Sequence, residues 1–359
     1  MELMFAVPNG TRRVRLYVGI AMIVMVAALS LGKTAASTEE VVNLYSYRQP
    51  FLIKPMLTEF TKKTGIKTNV VFAKKGMLEK IKATPGAADA VLTVDIGRLH
   101  DMDEAGLLQP VKSKVLEQNI PSSYRHPKGH WFGLTTRGRV IYASKKRVKP
   151  GAITRYEDLA DPKWKGKICT RSGKHVYNVS LFASIVAHSG KAKAKKWLVG
   201  LKSNLVRKPQ GNDRAQAKAI HSGECDLALA NTYYMAKMAT NKKKKVQQEW
   251  AKAVYIIFPN QKDRGTHVNI SGAAVTKHAK NRGNAVRLIE FLSGEYAQKL
   301  YADQNYEYPL KKGVKTHPIV DSWGKFKADT INLAEVANKR ATASKLVDQV
   351  DYNNFSPSN

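Results

Sequence analysis

The stretch VVNLYSYRQPFLIKPMLTEFTKKTGIKTNVVF, residues Val41 to Phe72, decides the fold class. Val41-Val42-Asn43-Leu44-Tyr45 has the β-branched and aromatic content of a strand. Phe51 to Lys63 reads as a helix with Pro55 near its first turn, and Lys67 to Phe72 as a second strand. The alternation continues outward: Gly76 to Ala83 starts a helix, Ala90-Val91-Leu92-Thr93-Val94 is a buried strand, and a helix follows from Ile96 through Leu108. Strands and helices alternating at this spacing predict an α/β fold, a mainly parallel sheet with helices on both faces.

Farther along, Gly133 to Ala143 alternates like a strand and is long enough to cross between two halves of a molecule. Tyr156-Glu157-Asp158-Leu159 is a helical turn, and Gly166 to Thr170 is a strand. Helices are expected over Asn178 to Ala187, Asn212 to His221, Asn281 to Leu292 and Glu295 to Ala302, and strands over Asp226 to Ala230 and Asn269 to Val275. The chain has 359 residues, no internal repeat and no Pro- or Ser-rich linker. Two α/β lobes joined by crossing strands fit this better than independent domains.

Hydrophobic residues make up 43% and aromatics 8%, enough for a full core, which excludes wholesale disorder. The formal charge of +32 describes a field that suits an anionic partner, not a fold. Lysines are spread out except for Lys242 to Lys245, which reads as a solvated loop or helix end. At the start, Arg12, Arg13 and Arg15 precede an apolar run from Leu16 to Leu31, then Gly32 and the small residues Ala35-Ala36-Ser37. These are the parts of a cleavable signal peptide over residues 1–37; a membrane anchor is the competing reading. Export makes nucleic acid a poor partner and makes Cys169 and Cys225, 56 positions apart, candidates for a disulfide.

No hydrolase elbow, HExxH helix or glycine-rich dinucleotide turn is present, and no Ser, Cys or Lys has an interpretable catalytic partner. An enzyme is therefore not expected. His126 and His130 are four apart, but Pro127 and Gly129 argue against a helix, so neither ligation from one helical face nor a metal site at this pair is expected. The tyrosines carry more. Asn231-Thr232-Tyr233-Tyr234 sits where a buried strand ends and a helix begins, and Tyr177 immediately precedes the Asn178 helix. In α/β sheets ligands bind beyond the carboxyl ends of strands, and helix N-termini favour anions. A phenolate is a hard oxygen donor whose pKa near 10 demands strong local positive charge for ionisation, which a trivalent cation supplies. Three phenolates would neutralise Fe(III), and Arg48, Arg137 and Arg139 could hold a completing anion in bidentate fashion. For each side chain, ordinary packing or ion pairing is the competing reading.

Taken together, these residues resemble the bacterial periplasmic ferric-iron-binding proteins, the solute receptors of iron(III) ABC transporters. The likeness runs from Val41 to Gly313 through Asn43-Leu44-Tyr45-Ser46-Tyr47-Arg48, Val94-Asp95-Ile96-Gly97-Arg98-Leu99 and His130-Trp131-Phe132-Gly133-Leu134-Thr135. It continues through Tyr156-Glu157-Asp158-Leu159, Trp164-Lys165-Gly166-Lys167, Ser222-Gly223-Glu224-Cys225, Asn231-Thr232-Tyr233-Tyr234 and His267-Val268-Asn269-Ile270-Ser271-Gly272. The resemblance implies a two-lobed class II periplasmic binding protein with crossing hinge strands. On it, residues 38–135 with about 263–310 form the N-terminal lobe, and 136–262 with about 311–359 form the C-terminal lobe. It further implies a monomer in the periplasm that closes on Fe(III) and delivers it to an inner-membrane ABC permease. Tyr177, Tyr233 and Tyr234 match the family's ligands, Arg48 and Arg137 match positions near the metal, and Cys169 and Cys225 match a cysteine pair of some members. Where many relatives carry His-Tyr or another donor after the arginine, this chain has Gln49-Pro50. Gln49 is a weak neutral donor, so three tyrosinates completed by carbonate, another synergistic anion or water are favoured. Tyr45 and Tyr47 remain lesser candidates.

Two rivals stand against this reading: a receptor of the same fold for an organic or anionic solute, and a basic exported protein that binds anionic surfaces. Replacing Tyr233 and Tyr234 by Phe separates the first, and salt sensitivity the second.

Overall fold

The computed structural model describes residues 40–73 and 76–355; the leader expected over residues 1–37 lies outside them. Strand β1 (Val41–Ser46), the helix Pro50–Thr64 and strand β2 (Lys67–Phe72) follow one another, and β1 and β2 pair in parallel. Pro50, not Pro55, occupies the first helical turn, where the amides have no intrahelical partner and a missing N–H costs least. The helix ends at Gly65, whose φ of 75° lets its N–H return to the Thr61 carbonyl. Leu52, Ile53, Met56, Leu57 and Phe60 are its buried stripe.

Strand β3 (Ala90–Val94) lies parallel to β1 and leads into the helix Ile96–Glu104. That helix stops four residues before Leu108 because Gly106 takes a left-handed φ of 64°. The Gly106 N–H bonds the Asp103 carbonyl and the Leu107 N–H the Met102 carbonyl, which closes the last turn.

The remaining strands are β4 (Phe132–Ser144), β5 (Ile168–Cys169), β6 (Leu227–Asn231), β7 (Val254–Ile257), β8 (Val268–Val275) and β9 (Tyr308–Pro309). Their order is β2-β1-β3-β8-β4-β6-β5, with β7 and β9 also on β4. The sheet is mixed rather than mainly parallel. Only β1–β2, β1–β3 and β5–β6 are parallel, whereas every pairing of β4 and β8 is antiparallel. These two strands run back through the sheet and reverse its sense. β4 is buried along its length, pairs with β8 from Phe132 to Gly138 and with β6 from Arg139 onward. The change of partner therefore falls between Gly138 and Arg139.

One core packs Ile53, Phe60, Leu288 and Tyr301 against Val42, Leu92 and Phe132; another gathers Val140, Tyr142, Ala228 and Met238 around Cys169 and Cys225. Those cysteines are disulfide-bonded, with Cα atoms 5.9 Å apart. Lys242 to Lys245 lie in an exposed loop. The helix Val176–Ser203 runs well past the expected Ala187; Gly190, at φ 79°, breaks it, and Trp197, Leu198 and Leu201 anchor the second segment.

Candidate functional site

The site is assembled where β6 gives way directly to the helix Thr232–Ala239, so Tyr233 and Tyr234 fall on its first turn. Tyr177 occupies the matching place in the helix Val176–Ser203, whose capping His175 accepts a hydrogen bond from the Tyr177 N–H. One buried guanidinium fixes both helix starts. Arg139 donates to Asp213 (2.8 Å), to the Asn231 side-chain oxygen (3.0 Å) and to the Asn178 side-chain oxygen (2.7 Å). Asp213 also accepts from the Asn231 N–H, and Tyr142 donates to the Asn231 carbonyl. Arg139 thus holds the scaffold and does not line the cleft; it is not available to an anion, contrary to the expectation from sequence.

The three phenols of Tyr177, Tyr233 and Tyr234 come together on one wall of a cleft of about 190 Å³. The Tyr233 hydroxyl donates to the Tyr177 hydroxyl at 3.2 Å, and the Tyr233 and Tyr234 ring centroids are 4.4 Å apart. Tyr47, Arg48, Gln49, Arg137, Arg214, Lys237, Asn305 and Glu307 also line the cleft. Gln49 faces the cleft, while Tyr45 is turned into the core. Tyr47 reaches the cleft, but its hydroxyl accepts from the Met77 N–H and its ring lies under Arg98 at 4.1 Å.

The two arginines of the cleft differ. Arg48 is engaged bidentately with Glu307 (3.1 and 3.2 Å) and donates to Ser271 at 2.7 Å. Burial pushes the Glu307 carboxyl up, but Arg48, Arg137 and hydrogen bonds from Thr135 and Arg48 outweigh it and hold it at about 2. Arg137 is 2% exposed, sits 3.6 Å from Asp95, and neither terminal guanidinium nitrogen has a hydrogen-bond partner among the described residues. Its terminal nitrogens keep hydrogen-bonding capacity beside the Asp95 ion pair. Asp95 itself, at φ 89°, is a strained non-glycine residue held by Gly97 and Asn269.

Burial pushes the Tyr233 phenol well above its ordinary 10, reinforced by Tyr177, Tyr234 and Asp213; burial also raises Tyr234, helped by Tyr177 and Asp213 and opposed by a hydrogen bond with Tyr233. Both phenols are neutral without an added charge. Burial brings Lys237 down to about 8, against the pull of Glu307. With Arg137, Arg214 and Lys237 around it, the cleft is cationic, which disfavours an organic polycation. A hard, highly charged metal ion that displaces the phenolic protons changes that balance, and an anion on Arg137 changes it further.

Reading the sequence missed Arg214, Lys237, Asn305 and Glu307. Lys237 was within reach, since it lies four residues after Tyr233 and three after Tyr234 on one helix. Glu307 gave no signal: it meets Arg48 across 259 positions.

Residues 88–327 match the bacterial extracellular solute-binding protein family. The chain is 43% identical over 355 residues to iron uptake protein A1 of a Synechocystis species, covering 95% of this chain and 98% of that one. Ferric iron-binding protein A of Mannheimia haemolytica, in an open conformation, superposes with a TM-score of 0.84 at 53% identity over 88% of this chain and 100% of that one. A Trichodesmium protein in complex with iron and citrate superposes with the same TM-score of 0.84 at 42% identity, over 87% and 99% of the two chains. These relatives are two-lobed binding and transport proteins, not enzymes. Long crossing strands, a cleft at the carboxyl end of β6 and this agreement along nearly the whole chain lead to one conclusion: the chain belongs to the bacterial extracellular solute-binding proteins, among their periplasmic ferric-iron-binding members.

Proposed function

We propose that this protein captures Fe(III) through Tyr177, Tyr233 and Tyr234, completes the coordination with an exogenous anion on Arg137, and delivers the ion from the periplasm to an inner-membrane ABC permease. The observation that carries the reading is the meeting of three phenols beside a buried arginine whose terminal nitrogens keep hydrogen-bonding capacity. Three phenolates balance the charge of Fe(III), and carbonate or citrate can use the guanidinium without a protein donor from Gln49. On this reading residues 38–135 with about 263–310 and residues 136–262 with about 311–359 are the lobes that close on the ion, and the strand that changes partner at Gly138/Arg139 is part of the hinge. The cleft, at about 190 Å³, is small beside the ~300–1,000 Å³ typical of organic-ligand pockets.

Equilibrium dialysis against ferric citrate tests the assignment. Tyr233→Phe combined with Tyr234→Phe should abolish stoichiometric iron uptake while circular dichroism stays unchanged. Retention of full iron binding by that double variant would refute tyrosinate ligation. A receptor for an organic anion would tolerate the loss of two hydroxyls.

A further inference from the structure

Outside the cleft, the described residues bring Asp103, His126 and His130 together, with one ligand atom of each within 4.8 Å of the others. His130 Nδ1 lies 2.5 Å from one carboxylate oxygen of Asp103, and His126 Nε2 lies 3.4 Å from the other. The two imidazoles stack at 4.7 Å with an interplanar angle of 17°. No helix joins the two histidines, as Pro127 and Gly129 imply, but a tight turn brings their rings together at a pair where no metal site is expected from the sequence.

The framework around these side chains is fixed. Asp103 sits in the last turn of the helix Ile96–Glu104, locked by the Gly106 closure. The Gly129 N–H bonds the His126 carbonyl, the His126 N–H bonds the Trp131 carbonyl, and the Val111 N–H bonds the Gly129 carbonyl. Gly129 has φ 76°, and a Cβ there would meet the Val111 carbonyl oxygen at 2.4 Å, so only glycine lets the turn sit this close. The side chains are 14–25% exposed, open enough for an ion and a water to enter. Burial lowers the His126 pKa, and the neighbouring His130 and Lys128 act in the same direction against Asp103.

We infer that Asp103, His126 and His130 form a second, independent metal site that takes a first-row divalent cation such as Zn²⁺. Two imidazoles and one carboxylate with open positions are a recurrent donor set for such ions. With bonds of about 2.0–2.2 Å, tetrahedral ligands stand roughly 3.4 Å apart, close to the 3.4 Å between His126 Nε2 and Asp103 and about 1 Å more than the 2.5 Å between His130 Nδ1 and Asp103. Small rotations about the His side chains suffice. The donors are softer than three phenolates, so the two sites differ in the ion they prefer. Zn²⁺ takes the Nδ1 lone pair of His130 in the tautomer that carries its proton on Nε2, so the bond forms with no net proton release from that ring.

The test is calorimetric titration of the full-length metal-free protein with ZnCl₂ in a non-chelating buffer at neutral pH. It is repeated on Asp103→Asn, His130→Gln and Tyr233→Phe, with circular dichroism as the folding control. One Zn²⁺ equivalent should bind to the wild type and to Tyr233→Phe, and weaken at least tenfold or vanish in both Asp103→Asn and His130→Gln. Because Trp131 lies 5.7 Å from His126, Cu²⁺ should also quench its fluorescence in the wild type and not in His130→Gln. Zinc uptake unchanged by Asp103→Asn and His130→Gln, absent from the wild type, or lost with Tyr233→Phe would overturn the inference.

Discussion

Acidification by one pH unit around neutrality should weaken Fe(III) binding at least about 100-fold, because two or more phenolic protons must leave for each ion bound. Without the ion, Tyr233 and Tyr234 are both held above their ordinary 10, first by burial and then by neighbouring phenols and Asp213. Each therefore carries its proton across the neutral range. The iron-free form binds more protons than the loaded form, so affinity rises with pH and falls on acidification, with no plateau below the phenol pKa values. Each displaced proton contributes about 1.4 kcal/mol per pH unit, or roughly 2.7 kcal/mol for two. The assay is competition against a chelator whose iron affinity is known at each pH. A slope of log K against pH of about two or more is the expected result. A slope near zero, with iron still bound stoichiometrically, would refute ligation by these phenols.

Three further outcomes follow from the same geometry. Glu307→Gln strands the buried Arg48 guanidinium and should cost about 3–5 kcal/mol in urea unfolding; in the wild type the depressed carboxyl contributes stability that fades as pH falls from about 4.5 toward about 2. Arg137→Gln should lower iron affinity about tenfold or more when carbonate is present and leave it near wild type in carbonate-free buffer, since it removes the charge-assisted donors. Replacing both Cys169 and Cys225 by serine opens a loop of 56 positions and should lower stability by roughly 4 kcal/mol, measured by denaturant midpoint in oxidising buffer.

Local pattern and turn chemistry carried most of the fold. The β-α-β run from Val41 to Phe72 and the strand-to-helix junction at Asn231 were legible because apolar runs and helix starts are written in neighbouring residues. Parallel against antiparallel pairing was not, since the direction of β8 against β4 depends on how a chain 130 residues later returns through the sheet. The second segment of the helix Val176–Ser203 could have been found: Ala194, Trp197, Leu198 and Leu201 recur at helical spacing beyond the Gly190 break. In the cleft, the tyrosines stood out by their place at helix starts, whereas the distinct roles of Arg48, Arg137 and Arg139 did not. All three lie in or beside strands, and only the distant partners Glu307, Asp95 and Asp213 separate them. The Asp103, His126 and His130 cluster was hidden similarly, since the carboxylate comes from another element.

Capture of Fe(III) by the three tyrosines is tested most directly by adding ferric citrate to the metal-free protein and recording the visible spectrum. Phenolate-to-iron charge transfer should appear as a coloured band that saturates at one iron per chain and disappears when Tyr233 and Tyr234 are both phenylalanine. Stoichiometric iron uptake without that band would contradict it.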